Sequence, residues 1–162
     1  MNDIQIENIT NDQVAEIIKS PGNYLDLSCY AITGFDFGKL ELDSLMAQNS
    51  NFIHCDFSSS DLSGADFDNT NVIQGNFNNA KLIKAEIYEC DFSGAQFDNA
   101  NLSRAMINKA NFKEASFKNA RLHSVSFVKC DLTNAIFDGA NIKMAQFADC
   151  ILDGASWNNV EK

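Results

Sequence analysis

The side chains with acid–base, nucleophilic or metal-binding potential are few in this 162-residue sequence, and they lie far apart. His54 and His123 are its two histidines. A histidine-based active site needs a nucleophile and an orienting group within hydrogen-bond reach. No local motif supplies them: there is neither a G-x-S-x-G elbow nor a glycine-rich phosphate loop. The cysteines Cys29, Cys55, Cys90, Cys130 and Cys150 are odd in number and form no C-x-x-C pair, so neither a disulfide framework nor a zinc knuckle is indicated. Carboxylates are the richest set. Asp26, Asp36, Glu41, Asp43, Asp56, Asp61, Asp66 and Asp68 crowd the first half, where paired acids or a calcium site are the chemistries to weigh. The EF-hand loop and the G-G-x-G-x-D calcium repeat are both absent. The expectation is therefore a protein with no catalytic residue, no metal and no cofactor. Its carboxylates read as a solvated acidic surface, with Asp36, Glu41, Asp56, Asp61, Asp66 and Asp68 as the candidate partner-binding set.

Charge sharpens this reading. The chain carries 22 acidic against 12 basic residues, a formal net charge of −10. Residues 1–80 hold 12 of the acids and only Lys19 and Lys39 as bases, whereas residues 81–162 balance at 10 of each. An acidic surface disfavours direct nucleic-acid binding, which needs cations for phosphates, and disfavours docking on an anionic membrane. Lys84, Arg104, Lys109, Lys113, Lys118, Arg121 and Lys129 make the middle locally basic, but acids are interleaved and the face reads as mixed. No apolar run approaches membrane-spanning length and no signal-peptide pattern opens the sequence. These features, with unpaired cysteines, point to a reducing cytoplasm.

What positions these residues is a repeat. Stepping by five from Leu27 to Trp157 gives 27 positions, all apolar, and 12 of the 13 phenylalanines are among them. Two residues before the centres runs a second, smaller set: Ala65, Ala85, Cys90, Ala95, Ala100 and onward to Ala155. Apolar positions two apart share one face of an extended segment. The other residues of each unit are rich in Gly, Asn, Asp, Ser and Lys, the chemistry of a turn. Each unit thus reads as a very short strand followed by a corner, and the residue before each centre should point outward.

A second period of 20 residues lies over the first. Phe37, Phe57, Phe77, Phe97, Phe117 and Phe137 recur at that interval, followed by Trp157. Leu42, Leu62, Leu82, Leu102 and Leu122 do the same, followed by Ile142. Four units per coil would stack like on like, with these two sets as interior columns. Coils one strand spacing apart, about 4.8 Å, make a rod roughly 30 Å long. In this register His54 and His123 fall on different sides, Cys55, Cys90, Cys130 and Cys150 take the small inner position, and Cys130 lies one coil from Cys150, close enough to suggest a disulfide that nothing requires. Cys29 falls at a turn.

The unit A-(D/N)-(L/F)-x-x, unbroken over 25–157, resembles the pentapeptide-repeat family. The resemblance implies an all-β, right-handed quadrilateral β-helix of four units per coil. It also implies a non-enzymatic interaction scaffold, cytoplasmic and bacterial, in a family that includes secreted bacterial effectors. Fluoroquinolone-resistance members of the family mimic duplex DNA and bind DNA gyrase, which offers an alternative function. The carboxylates of the first coils reach a linear charge density comparable with that of duplex DNA, one charge per about 1.7 Å. This sequence lacks the extended loops and C-terminal dimerisation helix of those members, and its charges are spread over several sides.

The ends need covers, because an open solenoid exposes strand edges and core. Residues 1–24 read as an N-terminal cap. Thr10-Asn11-Asp12-Gln13 has the form of a capping box, and Val14, Ile17 and Ile18 make an apolar stripe, so a short helix is expected over 11–19, stopped by Pro21-Gly22. Ile4 and Ile6 alternate with polar residues as an added strand would. The large inner residues Leu25, Tyr30, Phe35, Leu40 and Leu45 suggest a wider first coil beneath the helix. After the solenoid comes a tail, 158–162. Trp157 and Val160 would lid the last coil or meet a second copy, leaving a monomer or a dimer through the C-terminal end.

Overall fold

Each five-residue unit turns one corner of a square coil in the computed structural model, which describes residues 5–19 and 24–162. The corner is a hydrogen-bonded turn. The Ala80 N–H donates to the Phe77 carbonyl at 3.0 Å, for example, and Asn79 between them has φ 61°. The second residue after a centre takes positive φ throughout the coils, whether Gly, Asn, Ser, Lys or His54. Glycine and asparagine suit this left-handed conformation best, which is why both recur there.

Backbone groups on the four sides pair with the next coil. The Phe77 N–H donates to the Gln96 carbonyl at 2.7 Å, and the Gln96 N–H returns to the Gly75 carbonyl at 2.9 Å. Every bridge between coils is parallel and joins residues 20 apart, as in Asp36–Asp56 and Asn101–Arg121. The result is a β-solenoid of about seven coils. Regular strands appear on two sides. β1 (Glu7–Asn8), β2 (Tyr30–Thr33) and β3 (Asn51–Ile53) form one parallel sheet; β4 (Glu86–Tyr88), β5 (Met106–Asn108), β6 (Ser126–Val128) and β7 (Gln146–Ala148) form another. The added strand sits later than the Ile4–Ile6 alternation suggests. Ile6 is exposed, Ile9 is the buried member, and Ile4 lies outside the described residues, as do Pro21 and Gly22.

Inside, the phenylalanine column is a stack of near-parallel rings. Centroid separations are 4.6 Å for Phe37–Phe57, 5.0 Å for Phe57–Phe77, 4.8 Å for Phe77–Phe97, 5.1 Å for Phe97–Phe117 and 5.0 Å for Phe117–Phe137. Trp157 closes the stack at 4.2 Å from Phe137. Leu42, Leu62, Leu82, Leu102 and Leu122 form the buried column on the next side. Three buried polar residues occupy small inner positions, and each hydroxyl is satisfied: Ser50 donates to the Leu27 carbonyl at 2.7 Å, Ser60 to Phe57 at 2.7 Å and Thr70 to Ala47 at 2.6 Å. In the final coil, packed from one side only, Ile142, Phe147 and Trp157 are half-buried and the centre Leu152 is exposed.

At the other end α1 (Asn11–Lys19) lies against the first coil. Its capping box is reciprocal: the Thr10 N–H donates to Gln13 Oε1 at 2.8 Å, and the Gln13 N–H to Thr10 Oγ1 at 3.3 Å. Val14 is fully buried, with Ile17 and Ile18 packed beside it. Of the large inner residues beneath, Leu45 is buried within the core, while Leu25, Tyr30, Phe35 and Leu40 are half-buried at its edge.

Candidate functional site

The carboxylates before the centres do not simply point into solvent. Asp36 and Glu41 are exposed and Asp56, Asp61 and Asp66 half-buried, and each of these aspartates folds back onto its own backbone. Oδ1 of Asp26, Asp36, Asp56, Asp61 and Asp66 accepts the N–H two residues on, at 2.8, 2.8, 2.7, 3.1 and 3.0 Å. Asn76, Asn101, Asn111 and Asn141 make the same bond at 3.1 Å. The aspartate-or-asparagine preference of the repeat is thus a turn-forming requirement for an Oδ1 acceptor. Charge is a second, separable property of the aspartates.

The six candidate acids divide between three sides. Asp36 and Asp56 are bridged neighbours on the phenylalanine side, followed by Asn76. Glu41, Asp61 and Lys81 succeed one another on the leucine side. Lys81 Nζ donates to Asp61 Oδ2 at 2.9 Å. Burial works to raise the Asp61 carboxyl, but hydrogen bonds from Ser63 and Lys81, with the lysine charge, hold it below its ordinary value; the same bond raises Lys81. Asp66 and Asp68 lie on the side carrying β4–β7, where Asp66 bridges to Glu86 and accepts a hydrogen bond from Gln48 Nε2. Burial first, and then the charges of Asp66, Glu86 and Glu89, push the Asp68 carboxyl up. This is the strongest crowding of negative charge among the six. Glu89 is held below its ordinary value by hydrogen bonds from Lys109 and Tyr88. Lys109 donates to the Tyr88 hydroxyl at 2.7 Å and to Glu89 at 2.9 Å, and is itself raised.

The other candidates stay apart. His54 sits exposed at a corner and His123 half-buried on the leucine side. All five cysteines are free thiols. Burial pushes Cys55 and Cys130 up to about 11 and Cys90 up to about 12, so these thiols are poor nucleophiles. Cys29 and Cys150 are half-buried. Among the described residues no group of three or more His, Cys, Asp or Glu is placed to hold a metal, and no helix is long and apolar enough to cross a membrane.

One surface feature goes unmarked by the pattern of centres and acids. Ile53 and Ile73, one coil apart immediately after the buried centres Phe52 and Val72, are 46% and 50% exposed. With Asn51, Phe52, His54, Asn71 and Gln74 they line a shallow depression of about 360 Å³. The signal is present in the sequence: isoleucine in two successive coils at a position that otherwise favours polar turn residues.

Among curated protein sequences none matches the chain. Of solved structures, full-length QnrB1, a plasmid-mediated fluoroquinolone resistance protein, matches with a TM-score of 0.57 at 19% identity, covering 96% of this chain and 88% of that one. A trypsin-treated form of QnrB1 gives 0.59 at 17% identity, covering 99% and 85%. HetL, a pentapeptide-repeat protein from the cyanobacterium Nostoc involved in heterocyst differentiation regulation, gives 0.35 at 20% identity, covering 84% and 73%. The two QnrB1 matches are likenesses of fold. The model of the pentapeptide repeats matches in 8 copies, over residues 46–74, 60–97, 76–113 and 115–154, well over half of the sequence. With its four-sided coils and 20-residue bridges, the chain belongs to the pentapeptide-repeat family and folds as that family's right-handed quadrilateral β-helix.

Proposed function

We propose that this protein is a non-enzymatic protein-interaction scaffold of the bacterial cytoplasm, whose acidic first coils receive a positively charged protein partner. The observation that carries this reading is the grouping of Asp66, Asp68, Glu86 and Glu89, where the Asp68 carboxyl is pushed up first by burial and then by the charges of the other three. Between residues 24 and 80 the sequence offers Lys39 as its one basic residue. Opposite charge on a partner would relieve that repulsion, speed encounter and hold the complex in a salt-sensitive way.

A second reading, mimicry of duplex DNA toward DNA gyrase, draws on the same carboxylates. It is weakened by their division among three sides, since a duplex-like surface would present them as continuous rows. One experiment separates the two. Asp36, Asp56, Asp66 and Asp68 are changed together to Asn, which keeps every Oδ1 acceptor and removes the charge, at the loss of one bond, from Gln48 Nε2 to Asp66 Oδ2. Supercoiling by DNA gyrase is then followed with increasing wild-type or variant protein. Inhibition by the wild type that the four changes abolish would establish mimicry. The expected result is no effect of either protein on gyrase, together with salt-dependent binding of basic protein partners by the wild type alone. Equal binding by the variant would overturn the acidic-scaffold reading.

A further inference from the structure

We infer that the depression around Ile53 and Ile73 is the docking groove for an extended segment of a protein partner, one that carries an aliphatic or aromatic side chain flanked by lysine or arginine. The inference rests on the acidic-scaffold reading and adds the place and the chemistry of contact. Single exposed apolar side chains are ordinary on a protein surface. Two isoleucines stacked about 4.8 Å apart, each about half exposed over the buried Phe52, make one contiguous apolar strip on an otherwise polar side, enough to seat a single side chain. The floor is Phe52, which is buried and cannot shift without disturbing the coil. Asn51 and Asn71 form one wall, joined by a hydrogen bond from Asn71 Nδ2 to Asn51 Oδ1 at 2.8 Å. His54 and Gln74 form the other.

Charge selects the occupant. Asp56 follows the groove across one corner and Asp68 precedes it across the other, while Asp91 bridges to Asn71 in the next coil. An apolar centre with neutral polar walls, and with acids on both adjoining sides and in the next coil, fits an apolar side chain with basic neighbours, following the common anatomy of interfaces. A second copy of this chain, with its net charge of −10, would bring like charge to the rim. A surface that copied DNA would gain nothing from two isoleucines.

A random peptide library displayed on phage, selected on the immobilised protein at low salt, tests this. Enriched peptides are expected to carry an apolar residue between basic ones. Synthetic copies should bind about tenfold or more weakly to Ile53→Thr/Ile73→Thr than to the wild type. Thr33 and Thr133 occupy the same position in other coils, so the variant should fold, and an unchanged circular-dichroism melt checks that it does. Enriched basic peptides that bind the threonine variant as tightly as the wild type would overturn the groove. If they also lose binding to Asp36→Asn/Asp56→Asn/Asp68→Asn, the acidic scaffold stands without it. A selection that yields no basic enrichment overturns both.

Discussion

Aspartate and asparagine exchange freely before the centres because the fold uses their Oδ1 and ignores their charge. Where charge does matter, neighbours decide its sign. Among the described residues Asp68 has no basic partner, and its proton is held more tightly in the folded than in the unfolded chain, by burial first and then by its acidic neighbours. Its ionised form therefore works against folding once pH exceeds the ordinary carboxylate value of 3.8. Asp61 is the reverse case, since its lowered value means that its ionised form supports folding, and that support fades as pH falls through the folded value. Asp68→Asn should raise the melting temperature at pH 7, and the gain should vanish in acid, where the wild-type carboxyl is protonated in both states. Asp61→Asn should lower it slightly at pH 7, because exposed ion pairs contribute about 1 kcal/mol or less. Thermal melts of both variants across the acid range check the pair of signs. An Asp68→Asn variant less stable than wild type at neutral pH would show that neither burial nor crowding of that charge is felt.

The single coil side is the smallest unit that repeats, and its packing lies almost wholly in the columns. Phe97 touches Phe77 at 4.8 Å and Phe117 at 5.1 Å and is fully buried. Phe97→Ala should cost about 3–5 kcal/mol, since coils tied by backbone bonds on four sides cannot collapse into the space left. A denaturant melt showing a loss below about 1 kcal/mol would mean the stack is loose. This level of structure was legible in the sequence because two periods, five and 20, coincide with corner and coil, so the class of fold follows from counting. Features made by side chains answering one another were not legible. Nothing in the pattern shows that Asp56 folds back to the Ser58 N–H, or that Thr70 can be buried because the Ala47 carbonyl awaits its hydroxyl. The acidic set shows the same limit: its members are plain from composition, but their division into pairs on three sides depends on the residue before each centre and its neighbour 20 residues on. Ile53 and Ile73 carry no mark in a period of five because they fall outside its two inner positions.

At the scale of the molecule, a solenoid is close to one-dimensional: each coil rests on its two neighbours, and stability sums coil by coil. That makes the length of the rod adjustable in units of 20 residues and in no other unit without cost. Removing residues 101–120 would join Ala100 to Arg121 and place Leu122 where Leu102 was, Phe127 where Ile107 was and Phe117's successor Phe137 against Phe97, so every column stays apolar and in register. The Asp98 carboxylate, which accepts from the Ser116 hydroxyl and the Lys118 N–H, would meet Ile136 and Asp138 instead, a local loss at the surface. The shortened chain should fold cooperatively, with a β-type circular-dichroism spectrum, a lower melting temperature and a rod about 4.8 Å shorter. Removing 101–103 alone should be far worse, since every later centre would then face a corner. Downstream phenylalanines would turn to solvent, and Asn108, Lys113 and Lys118 would fall at inner positions, at about 1–3 kcal/mol for each stranded polar group and more for a charged one. Melts and size-exclusion profiles of the two deletions distinguish them. A 20-residue deletion that unfolds as completely as the three-residue one would mean that the coils are not independent modules, and that the rod is held together by a long-range feature which the column packing does not contain.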